Sequence, residues 1–347
     1  MTDDTALKGR LEEAIAHINA PDTVLAVTRR GERTVISGGT RPAPATPRED
    51  LRYELGSISK TFTALLLADL AHTGIVHLDD PLTTHLPDLP GLHLHSRAHR
   101  ITLRHLATHT SGLPRIPRDL LLGALTSPHR NSYADYDTER LLRTFATTRI
   151  LRRPGTHWRY SNFGAALLGT ALAHTTGTAY PTLLEHRVLH PLSLTSTGTA
   201  SGTTGTDAVG HRPDGRPVPP SVFAGFVSCG GIRATPNDLL TYLEAHLTPH
   251  HTPLNQPLTR VQTPELHQGR RNPETHTLTW IQHPAPRGPL LFHAGATFGQ
   301  QAFLGYHPAT HTALAATTTR HGRTCPLVTT AYNLLHELCD QAAPNAR

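Results

Sequence analysis

Ser57 and Lys60 stand three residues apart in the stretch Arg52-Tyr53-Glu54-Leu55-Gly56-Ser57-Ile58-Ser59-Lys60-Thr61-Phe62. Positions i and i+3 of a helix share one face, so a helix starting at Ser57 brings its hydroxyl and the amine together. A serine hydroxyl is a weak nucleophile until a neighbouring base takes its proton, and a neutral amine can do that. Composition adds weight to the pair. The chain carries 32 lysines and arginines, yet only Lys8 and Lys60 are lysines. Arginine stays charged inside a protein, whereas a desolvated lysine can lose its proton. A Ser-x-x-Lys tetrapeptide also occurs on ordinary helices, so other groups must converge on it before it means catalysis.

Two further segments offer such groups. Pro154-Gly155-Thr156-His157-Trp158-Arg159-Tyr160-Ser161-Asn162 reads as a turn and an aromatic pair leading into a helix near Asn162. A phenol beside an ammonium serves as general base or acid, and the Asn162 amide can hold a lysine or a substrate carbonyl. Taken alone, the segment also fits a capped helix start with a packing tyrosine. Leu291-Phe292-His293-Ala294-Gly295-Ala296-Thr297 runs from a strand into small residues that let backbone approach a ligand. There the Ala296 N–H could meet a developing oxyanion, with the Ser57 N–H as second donor.

The elements that must position these groups follow from the patterning. Residues 5–19 carry a helical apolar period, closed by Pro21, and 23–28 with 34–37 read as a hairpin. The helix from Ser57 runs to about Gly74. Helical patterns recur at 138–147, 162–175 and 179–188, a long loop fills 195–235, and a further helix spans 236–247. Strand-like runs come at 277–282, 289–294, 301–306 and 311–318, before a closing helix at 325–341. With strands at both ends and helices between, the expected fold class is α+β. Residues 1–74 and 255–347 make the sheet lobe, and 75–254 are a mainly helical insertion. The active site falls between the lobes, with loops 112–135 and 195–227 shaping it.

Bulk composition narrows the function. The net charge of +6 comes from scattered arginines, and aromatics make up only 5%, so a nucleic-acid surface is excluded. The 26 histidines include the pairs His105/His109 and His93/His95, neither with the acidic companion of a metalloprotease helix, so no metal or other cofactor is expected. Cys229, Cys325 and Cys339 are too few and too far apart for a disulfide framework. The acidic start Met1-Thr2-Asp3-Asp4 and the lack of an 18-residue apolar run predict a cytoplasmic protein with no membrane partner.

The order Ser-x-x-Lys, Tyr-x-Asn, His-x-Gly resembles the penicillin-binding protein and class C β-lactamase superfamily of serine acyl enzymes. Tyr53–Ala64, Ile101–Pro114, Pro154–Gly169, Pro191-Leu192, Ser228–Asp238 and His293–Pro308 look like landmarks of that family, in its order and over most of the chain. The resemblance implies a β-lactamase/transpeptidase-like fold, an antiparallel sheet flanked by the terminal helices plus a helical lobe. It implies Ser57 as nucleophile, Lys60 as its partner and Tyr160 as general base or acid. Asn162 becomes the lysine- and substrate-orienting amide, His293 and Gly295 the third motif, and Ala296 the second oxyanion donor. Which of lysine and tyrosine takes the first proton is open in the family.

Departures from the pattern shape the expected activity. His293-Ala294-Gly295 stands where class C β-lactamases typically have Lys-Thr-Gly, so attraction for a substrate carboxylate should be weaker and pH-dependent. His-x-Gly is similar to some D-peptidases and to β-lactamase-like esterases. The leading expectation is a serine hydrolase acting on a small-molecule ester or amide. Its alternatives are an acyltransferase of the same fold in secondary-metabolite biosynthesis, a β-lactamase or DD-peptidase, and a non-catalytic binding protein. A nucleophile elbow at Phe226-Val227-Ser228-Cys229-Gly230 lacks its first glycine and is set aside.

Overall fold

Leu7, Leu11, Ile15 and Ile18 recur every third or fourth residue, and in the computed structural model they are the buried face of helix α1, Thr2–Ile18. The structure describes residues 2–87, 94–121, 131–202, 205–268, 274–322 and 325–341. After α1 come strands β1 (Thr23–Arg29), β2 (Glu32–Gly38) and β3 (Tyr53–Glu54), then helix α2 (Ser59–His72). The helical part holds α3 (Leu103–Ala107), α4 (Thr138–Thr147), α5 (Asn162–Thr176), α6 (Tyr180–Leu184) and α7 (Val227–Gly230). Strand β4 (Arg233–Ala234) and helices α8 (Pro236–Leu247) and α9 (Asn255–Val261) lead back to the sheet. Its remaining strands are β5 (Leu266–Gln268), β6 (Glu274–His276), β7 (Ile281–Ala285), β8 (Gly288–Ala296), β9 (Gln301–His307) and β10 (Thr312–Thr318), followed by α10 (Leu327–Gln341).

The main sheet is antiparallel in the order β2-β1-β10-β9-β8-β7-β6-β5. Its middle joins the two ends of the chain, with β1 against β10 from Thr23↔Thr318 to Arg29↔Thr312. Both faces of these strands are covered, which is why they read as continuous apolar or threonine runs. Leu25, Val27, Leu314 and Ala316 pack toward α1 and α10, while Ala26, Ala313 and Ala315 face the larger core. At the centre of that core lies α2, buried at every position from Ser59 to Leu70. Beside it runs α5, begun by a Ser161 side chain that accepts from Gly164 N–H and ended by Gly177 at φ 62°.

Two expectations need correction. The run 277–282 is not one strand. β6 stops at His276, Thr277–Trp280 forms a tight turn closed by Thr277 N–H to the Trp280 carbonyl (3.0 Å), and β7 starts at Ile281. Leu278 and Trp280 are fully buried in that corner, so their apolarity belongs to a turn packed on the core. Helix α8, read as part of the insertion, lies across β1, β9 and β10, and β4 pairs with β3. Residues 236–247 therefore pack on the main sheet although they lie inside the segment 75–254, and β3 and β4 form a small sheet of their own.

His246 on α8 sits among the rings of Tyr242, Trp280 and Tyr306 at centroid distances of 4.6, 5.2 and 5.2 Å. Its Nδ1–H donates to the Tyr242 carbonyl (2.8 Å), and burial pushes its pKa down to about 4. A neutral buried histidine makes stability depend on acid in one direction. The unfolded chain takes up the proton near the ordinary imidazole value, so the stabilisation is complete above that value and is lost as pH falls toward the folded one. At pH 5 the loss from this group is about 2 kcal/mol. Urea unfolding at pH 7.5 and pH 5 checks this: His246→Leu should shrink the difference between the two by about that amount.

Candidate active site

The Ser57 turn is fixed from both sides. Upstream, β3 pairs with β4, and buried Glu54 accepts from Arg233 Nη2 (3.1 Å), Ser221 N–H (2.6 Å) and Ser221 Oγ (2.8 Å). Downstream, the chain turns at Gly56 with φ 50°, enters a 3₁₀ turn Gly56–Ile58 and continues into α2. A Cβ on Gly56 would lie 2.4 Å from the Ala296 carbonyl oxygen, so glycine is required both by conformation and by space.

Lys60, one turn on and 3% exposed, donates through Nζ to Ser57 Oγ (3.1 Å) and to the Cys229 carbonyl (2.7 Å). Tyr160 OH donates to the same Ser57 Oγ at 2.6 Å. The serine oxygen thus lies between an amine and a phenol, and Nζ is 5.0 Å from the Tyr160 ring centroid. Tyr160 is held by backbone bonds between two segments. Gly155 N–H donates to the Thr110 carbonyl (2.8 Å), Arg159 N–H to that of His109 (2.8 Å) and Asn162 N–H to that of Arg115 (2.9 Å). Ser161 Oγ adds a bond to the Pro114 carbonyl (2.7 Å), and the His109 ring packs 4.5 Å from the Tyr160 ring. The segment 108–115 is therefore the support of the tyrosine.

The third wall is the end of β8. Strand β7 pairs with it only as far as Ile281↔Phe292, so residues 293–296 turn one edge toward the Ser57 turn. A Cβ on Gly295 would fall 2.0 Å from the Leu55 carbonyl oxygen and 3.0 Å from Ser57 N. That approach brings the end of β8, with Ala296, against the Ser57 turn, as the pair of backbone oxyanion donors expected at Ser57 and Ala296 requires. His293 is buried, its Nδ1–H donates to the Ala294 carbonyl (2.9 Å), and burial pushes its pKa down to about 3. The pH-dependent attraction expected of this residue is thus absent across the neutral range, because the imidazole is uncharged there.

All seven residues singled out in the sequence come together. Ser57, Tyr160, Asn162, His293, Gly295 and Ala296 line one cavity of about 740 Å³, and Lys60 reaches Ser57 from behind. The lysine-orienting half of the expected Asn162 role falls to the Cys229 carbonyl, which accepts from Lys60. Asn162 itself lines the cavity, its Nδ2 donating to Tyr133 OH (3.2 Å) and its Oδ1 buried without a partner among the described residues. Burial pushes the Tyr133 hydroxyl up to about 12, so it stays a neutral hydrogen-bond partner. Neither contact was found in the sequence: a backbone carbonyl has no side-chain signature, and Tyr133 carries no motif. Trp158, Thr297 and Gln301 also line the cavity, each with a buried polar atom lacking a protein partner among the described residues.

The competing motifs resolve differently. Ser228 is buried and donates to the Ala165 carbonyl (3.1 Å), a packing role rather than an elbow. His105 closes a capping box at the start of α3 with Thr102, while His109 faces Tyr160. His93 and part of the loops 112–135 and 195–227 lie outside the described residues.

The fold and this geometry can be set against known proteins. The family model described as Beta-lactamase matches residues 8–337. D-alanyl-D-alanine-carboxypeptidase/endopeptidase AmpH of Escherichia coli (strain K12) is 30% identical over 229 residues, 65% of this chain and 57% of AmpH. A β-lactamase of Pseudomonas fluorescens is 28% identical over 75% of this chain and 77% of its own. Esterase EstB of Burkholderia gladioli is 30% identical over 62% of this chain, which spans 57% of EstB. A class C β-lactamase structure from Rhodobacter sphaeroides superposes with a TM-score of 0.79 at 24% identity, covering 96% of this chain and 99% of that one, which shows the fold. The sheet with its two layers of helices is accordingly the α+β class C β-lactamase fold. The chain belongs to the β-lactamase family of serine hydrolases.

Proposed function

We propose that the protein cleaves an ester or amide bond of a small molecule through an acyl-enzyme on Ser57. The observation that carries this reading is the Ser57 oxygen held at once by Tyr160 OH (2.6 Å) and Lys60 Nζ (3.1 Å). With one member of the Lys60–Tyr160 pair unprotonated, that group takes the hydroxyl proton as Oγ bonds to the substrate carbonyl carbon. The carbonyl electron pair moves onto oxygen, which the N–H groups of Ser57 and Ala296 stabilise. As the tetrahedral carbon collapses, the bond to the leaving group breaks and that group receives a proton through Tyr160. Water then adds to the acyl carbon, giving its proton to the same pair, and Ser57 is released with its hydroxyl restored. The cavity's volume and its apolar and aromatic lining suit a small organic substrate.

Two names among the relatives, an esterase and a carboxypeptidase, support ester and amide carbonyls as the reactive group. The neutral imidazole of His293 gives a β-lactam carboxylate no charge to bind at the third motif, where class C β-lactamases typically have a lysine. Acyl transfer to an alcohol or amine shares every step up to the acyl-enzyme and differs only in the acceptor. Intact-protein mass spectrometry with a fluorophosphonate probe tests the nucleophile. The wild type should gain one adduct, located at Ser57, and Ser57→Ala none; equal labelling of the two sinks the assignment.

A further inference from the structure

The cavity is one-sided in charge. Among the described residues its lining includes one arginine, Arg115, with no aspartate or glutamate. Burial, ahead of other causes, holds the lining imidazoles of His109, His276, His293 and His321 below their ordinary range. At neutral pH the fixed charge on the open wall is therefore the Arg115 guanidinium, since Lys60 is turned onto Ser57 and Cys229.

Arg115 is placed rather than adrift. It follows the Ser111-Gly112-Leu113-Pro114 turn, and its carbonyl accepts from the N–H groups of Asn162 (2.9 Å) and Phe163 (3.3 Å) in the first turn of α5. Its side chain is exposed, with the guanidinium carbon 5.2 Å from the Tyr160 ring centroid. No carboxylate among the described residues forms an ion pair with it. An arginine stacked on an aromatic face keeps its edge donors free for a planar anion, and the guanidinium fork matches a carboxylate. The buried indole N–H of Trp158, without a protein partner among the described residues, lines the same cleft.

We propose that Arg115 is a specificity-determining residue that binds a carboxylate carried by the substrate, so that the preferred esters or amides are anionic. This inference rests on the acyl-enzyme reading and adds the substrate's charge to it. The carboxylate is recognised beside the Tyr160 ring, where the Arg115 guanidinium lies.

Matched esters test the idea, with the charge on either side of the scissile bond. One pair is p-nitrophenyl hydrogen glutarate and its methyl ester; the other is 4-acetoxybenzoic acid and its methyl ester. In at least one pair the wild type should favour the acid by about tenfold in kcat/KM, the size of one charge-assisted hydrogen bond. That ratio should collapse toward one in Arg115→Gln, survive in part in Arg115→Lys, and shrink as salt rises. Protection of Ser57 from the fluorophosphonate by monomethyl glutarate, compared with dimethyl glutarate, makes the same comparison through competition at the nucleophile. Equal handling of acid and ester throughout, or a preference kept in Arg115→Gln, overturns the Arg115 assignment while leaving an acyl-enzyme on Ser57 intact. Ester hydrolysis by Ser57→Ala at the wild-type rate overturns the acyl-enzyme reading itself.

Discussion

Lys60→Arg is expected to lower turnover of an activated ester by about a thousandfold or more, as for members of a catalytic unit. The substitution keeps a positive charge, so a purely electrostatic role for Lys60 would survive it. Two features argue against survival. A guanidinium does not give up a proton in a protein, so it cannot share the Ser57 proton with Tyr160. The Lys60 amine is also confined, 3% exposed and shared between Ser57 Oγ and the Cys229 carbonyl, contacts that the larger planar guanidinium cannot reproduce atom for atom. Steady-state kinetics with a p-nitrophenyl ester gives the answer, and far-UV circular dichroism shows whether the variant is folded. A folded variant within a few-fold of wild type would remove the proposed role of the amine.

The second large effect is expected at a residue with no functional group. Gly295→Ala should cut kcat by about a hundredfold or more, the scale of losing one oxyanion donor. The added methyl would sit 2.0 Å from the Leu55 carbonyl oxygen, so β8 and the Ser57 turn must separate. Separation moves Ala296 N–H away from Ser57 while leaving Lys60 and Tyr160 in place on their own elements. The variant should therefore still react with a fluorophosphonate, though more slowly, and its melting temperature should drop. Wild-type kcat in a folded Gly295→Ala protein would show that the close approach of strand and turn is not what places the second donor.

The sequence was most legible where chemistry coincides with a local geometric rule. Ser57 and Lys60 could be paired because three residues of helix put them on one face, and the 3.1 Å contact is that rule realised. The ends of the sheet were readable because β1, β9 and β10 are long enough for their apolar runs to have one explanation. Legibility fell where the deciding partner lies far away along the chain. Thr277–Trp280 looks like a strand because Leu278 and Trp280 are apolar, but the space they fill is a corner of the core built by α2 and α8. Likewise α8 has the pattern of any amphipathic helix, and nothing local says that its apolar face covers β1 and β10. Of the two tasks expected of Asn162, holding the lysine and orienting the substrate, the first is done by a main-chain carbonyl 169 residues away from Lys60. Backbone groups are identical at every position, so such contacts emerge only with the fold.

The pairing of β1 with β10 also sets a timetable. Thr23 meets Thr318, so the central seam of the sheet must wait until nearly the whole chain has left the ribosome. At ordinary synthesis speeds, about 5–20 residues per second, β1 and β2 wait roughly fifteen seconds to a minute as an unpaired hairpin. An isolated two-stranded hairpin is only marginally stable in water, and its apolar face stays open to other chains meanwhile. The helical segments, whose contacts are nearer in sequence, can gather first. Ser57 belongs to the late event, because its turn is braced by residues 293–296 of β8. Nascent chains should thus remain catalytically silent until the last strands arrive, and no partial product carries a live nucleophile.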